Sequence, residues 1–106
     1  MSIPDFPGPA VFSPATITGC GGTASATATV EVHIIHPFRG DLKIWVKAPD
    51  GTEYLIQSTS KDSGDDIHTT YVVNLSAESA DGLWQLKVRD RRAANVGYLD
   101  SWTITV

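Results

Sequence analysis

From Leu83 to Arg89 the chain alternates without a break: Trp84, Leu86 and Val88 fall on one side, Gln85, Lys87 and Arg89 on the other. A period of two is the signature of a strand with one buried face, because successive side chains of an extended backbone point to opposite sides of a sheet. The same beat sets Ala26, Ala28, Val30, Val32 and Ile34 against Thr27, Thr29, Glu31 and His33. It sets Leu42, Ile44 and Val46 against Lys43, Trp45 and Lys47, and it places Trp102, Ile104 and Val106 toward the core. Sheets with one apolar face must bury it against another layer, and no segment shows the 3.6-residue period of a helix. The expectation is an all-β chain: an antiparallel β-sandwich, jelly-roll-like, in a single domain.

The punctuation agrees. Pro49-Asp50-Gly51-Thr52 separates strands predicted at 42–48 and 54–57, and Asp-Gly is the pair that tolerates a tight reversal, so 42–57 reads as a hairpin. A polar loop is expected over 58–66, a strand over 69–75, a turn near 79–82 and a second loop over 90–97. Pro4, Pro7, Pro9 and Pro14 bar a helix from residues 1–14, which read as an extended, Pro-rich strap leading into a domain at 15–106.

Length and charge narrow the function. A chain of 106 residues can bury one core. With 8 Lys and Arg against 12 Asp and Glu, its net charge of −4 speaks against nucleic acid as a partner. The local cluster Lys87, Arg89, Arg91 and Arg92 is read as an ordinary solvated strand face. No apolar run approaches the roughly 20 residues of a membrane span. The lone Cys20, among Gly19, Gly21 and Gly22, permits no internal disulfide and reads as a small residue in a turn. The first residues lack the regions of a signal peptide, so the chain is expected to be either cytosolic or a piece of a larger secreted protein.

Three motifs invite chemical readings. Arg39-Gly40-Asp41 is an adhesion tripeptide on paper, but a tight corner, with Gly40 supplying an unusual φ and Asp41 capping its own turn, is the better account. Catalytic residues are expected to be absent: there is no Gly-x-Ser-x-Gly elbow and no His-Glu-x-x-His, and His36 and His68 read as packed or surface side chains. Asp41, Asp62, Asp65, Asp66, Asp90 and Asp100 fall in loops or at strand ends, where hard oxygen ligands gather, yet "DSGDD" lacks EF-hand spacing. Solvated loops are the simpler account; a structural calcium ion, if bound, is expected near Asp41, Asp65 and Asp66, and no cofactor is expected to be required.

Three clusters in order, "HPFRGDLKIWVKAPDGTEYLI" (36–56), "DGLWQLKVRD" (81–90) and "GYLDSWTITV" (97–106), resemble the P domain, or P/homo B domain, that follows the subtilisin-like catalytic domain in kexin and furin and lies behind many secreted bacterial proteases. The matching positions are His36, Gly40-Asp41-Leu42, Pro49 to Thr52, Gly82 to Asp90, Gly97-Tyr98-Leu99 and Trp102. The resemblance implies a non-catalytic C-terminal accessory domain of a secreted, bacterial protease, a serine endopeptidase in preference to a metallopeptidase. The domain would assist folding of the catalytic domain or stabilise it. Met1-Ser2 then reads as a start placed at a domain boundary. The expected partner is that catalytic domain, on an otherwise monomeric chain, with Trp45, Lys43 and Lys47 the expected contact. The alternative is a module that holds insoluble protein substrate such as collagen.

Overall fold

The computed structural model describes residues 1–4, 8–92 and 96–106. Among the described residues eight strands follow in chain order: β1 (Ser2–Ile3), β2 (Val11–Ile17), β3 (Ala28–Ile35), β4 (Leu42–Lys47), β5 (Glu53–Gln57), β6 (Ile67–Val73), β7 (Gly82–Asp90) and β8 (Gly97–Thr105). They form two four-stranded sheets, ordered β1-β8-β3-β6 and β2-β7-β4-β5, and every neighbouring pair is antiparallel. The two sheets pack face to face as a sandwich.

The predicted faces meet in the middle. Val30, Val32 and Ile34 of β3 pack with Leu42, Ile44 and Val46 of β4 and with Trp84, Leu86 and Val88 of β7, all of them fully buried. Burying each such aliphatic side chain contributes ~1.5–3 kcal/mol, so these rows hold the two sheets together. Trp102, Ile104 and Val106 also face this core but stay half-buried at its margin. Ala26 does not join it: β3 begins two residues later and Ala26 is exposed.

Of the leading segment, β1 lies in one sheet and β2 in the other. Ser2 and Ile3 pair with Tyr98 and Gly97, and the N-terminal amine donates to the Leu99 carbonyl at 3.1 Å. Val11 to Ile17 run along β7 through Pro14, so the boundary expected at 14/15 falls inside a strand. Proline is tolerated there because β2 is an edge strand, whose outward N–H groups have no ladder partner to lose. Pro14 concealed the strand from its sequence pattern.

Candidate docking face and buried corner

The outer side of the sheet β2-β7-β4-β5 gathers a row of apolar and cationic side chains from all four strands. Register places Phe12 beside Lys87, Lys87 beside Trp45, and Trp45 beside Leu55. The ammonium groups of Lys43 and Lys87 lie 5.2 and 4.6 Å from the Trp45 ring centroid. Lys47 lies over Phe12, at 5.4 Å, with Lys87 at 5.8 Å from the same ring. Each cation–π contact at such exposure is worth ~0.5–1 kcal/mol, enough to hold the rings upright without hiding them. Phe12, Leu55 and Leu83 remain 40%, 50% and 43% exposed. Trp45 is half-buried.

The expected trio Lys43, Trp45 and Lys47 therefore does share one face, but Lys47 serves a different ring. Phe12 and Lys87 complete the patch and are not among the expected residues, since the pairing of β7 with β4 brings Lys87 there and the pairing of β2 with β7 brings Phe12. Glu53, whose carboxylate accepts from Lys87 at 3.0 Å, offsets one of the four cations Lys43, Lys47, Lys87 and Arg89. Among the described residues, Arg89 Nε is a buried donor with no acceptor.

At one end of the sandwich sits a second cluster. His36, which follows β3, is fully buried, and its Nδ1 accepts from the Phe38 backbone N–H at 3.1 Å. That bond fixes the neutral ring's proton on Nε2, which donates to Asp90 Oδ2 at 3.1 Å. The second oxygen of Asp90 accepts from the Arg92 N–H, also at 3.1 Å. Asp41 completes the group: its carboxylate, 4% exposed, lies 3.7 Å from Arg92 Nη1, and the ligand atoms of His36, Asp41 and Asp90 lie within 4.8 Å of one another. Asp66 approaches from the far side, its Oδ1 accepting from the His36 N–H at 2.9 Å.

This corner ties the end of β3, the start of β4, the end of β7 and the loop 58–66 through buried charge-assisted bonds. With His36 sealed from solvent and both its nitrogens engaged, the geometry is that of a keystone and not of a general base. Among the described residues, these three side chains bring ligand atoms close enough together to hold a metal, although the imidazole departs from the all-oxygen shells calcium prefers. Asp41 lies in this group; Asp65 is exposed and lies outside it.

The Arg-Gly-Asp corner is a single 3-10 turn, Arg39–Asp41, with Gly40 and Asp41 buried. An adhesive receptor could not reach Asp41. The expectation that Gly40 supplies an unusual φ is corrected: it has no positive φ, and what excludes a side chain is crowding, since a Cβ would lie 2.6 Å from the Ser60 carbonyl oxygen. Nor does Asp41 cap its own turn through its side chain; Leu42 N–H is satisfied by the Arg39 carbonyl.

A model of the proprotein convertase P-domain matches residues 25–106. The chain is 48% identical over 105 residues to leupeptin-inactivating enzyme 1 of Streptomyces exfoliatus, covering 99% of this chain and 24% of that protein. It is 41% identical over 106 residues to the transglutaminase-activating metalloprotease of Streptomyces mobaraensis, covering 99% of this chain and 14% of that one. The chain thus spans a quarter or less of the relatives it matches. Its fold is that of a region of the serine protease of Aeromonas sobria, solved alone (TM-score 0.78) and with its chaperone (TM-score 0.79), at 20% identity over 97% of this chain and 24% of that one. No helix among the described residues is long and apolar enough to cross a membrane.

Proposed function

Because the chain belongs to the proprotein convertase P-domain family, we propose that it is a non-catalytic accessory domain of a secreted bacterial protease, docked on the catalytic domain and stabilising it. The observation that carries this reading is the row Phe12, Lys87, Trp45 and Leu55 with its surplus of cations. An apolar strip with basic flanks suits a partner surface of opposite charge with an apolar centre.

The mechanism is linkage. A tethered domain meets its partner at an effective concentration in the millimolar range, and by binding only the folded catalytic domain it shifts the equilibrium away from unfolding. The relatives named above support association with proteases. The proposal keeps a subtilisin-like serine endopeptidase as parent, with a metallopeptidase as the alternative that the name of the second Streptomyces relative supports. Inhibition of the intact protease by a serine-directed reagent or by a chelator separates the two. A structural calcium ion near Asp41, Asp65 and Asp66 belongs to the same proposal; if it is bound, melting of the 106-residue chain falls when a calcium chelator is added.

The deciding experiment compares thermal inactivation of the intact protease with and without this domain, on a soluble peptide substrate. A shorter lifetime at unchanged initial rate is expected on removal. An unchanged lifetime, with lost hydrolysis of insoluble collagen, would instead make the domain a substrate-binding module.

A further inference from the structure

On the outer side of the other sheet, two histidines face each other across neighbouring strands. His33 of β3 is registered directly opposite His68 of β6, the edge strand. Their Nδ1 atoms are 2.8 Å apart, with ring centroids 5.0 Å apart and planes inclined at 46°. The other nitrogen of His33, Nε2, lies 2.6 Å from Glu31 Oε1, two residues earlier on the same face. His33 and Glu31 side chains are 30% and 52% exposed, so the group is open to solutes.

From this arrangement we propose a binding site for a divalent late transition metal, zinc being the reference ion, held by His33 Nδ1 and His68 Nδ1. The carboxylate of Glu31 fixes the His33 proton on Nε2, which leaves the Nδ1 lone pair directed at His68. This is the carboxylate–histidine arrangement that orients metal-bound imidazoles. In the metal-free chain that lone pair accepts a proton-mediated bond from His68 Nδ1. On metal binding, His68 moves its proton to its own Nε2, and the metal replaces the bridging hydrogen. Two nitrogens on one tetrahedral zinc ion, each ~2.0–2.1 Å from it, stand about 3.3 Å apart, so the rings need part by only about half an ångström. Imidazole donors select zinc, nickel and copper over calcium and magnesium. The remaining positions are filled by water or by a group from another molecule.

The consequence is a clip. His33 and His68 are 35 residues apart, and a shared ion pins the exposed edge strand β6 to β3. Stability then rises with metal concentration, because the ion binds the folded chain in preference to the unfolded one.

Calorimetric titration of the 106-residue chain with zinc chloride at neutral pH tests this, beside thermal melting of the same samples. One zinc per chain, a raised melting temperature, and loss of both in His68→Ala and His33→Ala are expected. Glu31→Gln should weaken binding about 10–100-fold while leaving the metal-free melting temperature in place. Calcium should have no effect at this site, since imidazole donors select late transition metals. The absence of saturable zinc binding up to about 1 mM, or equal binding by wild type and His68→Ala, would overturn the proposal.

Discussion

At the scale of single residues, two aromatic side chains show how much one polar atom adds to a buried ring. Trp84 is fully buried, and its indole N–H donates to the Ala80 carbonyl at 3.0 Å. Trp84→Ala removes the ring and orphans that carbonyl, and the expected cost is about 3–5 kcal/mol, read by denaturant unfolding. Tyr54 donates its hydroxyl to the Glu78 carboxylate, and this bond pushes the phenol's pKa up to about 12, with burial adding to it. A group whose pKa is raised on folding stabilises fully below its unfolded value, here about 10. That contribution is lost as pH climbs through the folded value of about 12. Tyr54→Phe should therefore lower the melting temperature at neutral pH and shrink the further loss that wild type shows between about pH 10 and 12. Equal alkaline losses in the two proteins would deny the bond its role.

At the scale of elements, the turn between β3 and β4 has no room for a side chain at Gly40. The Gly40 N–H donates to the Asp62 carbonyl and its own carbonyl accepts from Ser60, so the loop 58–66 is laced to the turn. Asp62 adds a further tie: its carboxylate accepts from the Gly64 N–H and from Arg39, which together hold it below the usual carboxylate range. A methyl at position 40 would force this lacing apart, and Gly40→Ala should cost about 1–3 kcal/mol with the denaturant slope unchanged. Gly51, in the β4–β5 turn, is a different case: its φ of 94° reflects backbone freedom with open space around it. The sequence marks both glycines alike, because a glycine looks the same whether it is required by its own dihedral or by a neighbour 20 residues away.

At the scale of the whole molecule, the two outer faces divide the work. One carries Phe12, Trp45 and four cations; the other carries Glu31, His33 and His68. In the intact protease, Phe12→Ala combined with Trp45→Ala should shorten the thermal lifetime toward that of the truncated enzyme, by more than the lowered melting temperature of the isolated chain, which loses its four cation–π contacts, accounts for. Raising the salt from about 0.05 to 0.5 M should narrow the gap between intact and truncated enzyme, as screening weakens a docking contact steered by lysines. A gap indifferent to both changes would place docking elsewhere on the domain.

The sequence by itself determined which side of each strand meets the core, since alternation in Leu83–Arg89 or Leu42–Lys47 is a local property of an extended backbone. It also determined the hairpin at Pro49–Thr52 and, through ordered motifs, the family. It could not say which strands lie side by side. That depends on loop closure and core packing over long separations, and it is what sets Phe12 next to Trp45, His33 against His68, and His36 against Asp90, 54 residues away. The shared face of Lys43, Trp45 and Lys47 was legible because they lie on one strand; their neighbours Phe12 and Lys87 were not, because only the sheet order assembles them.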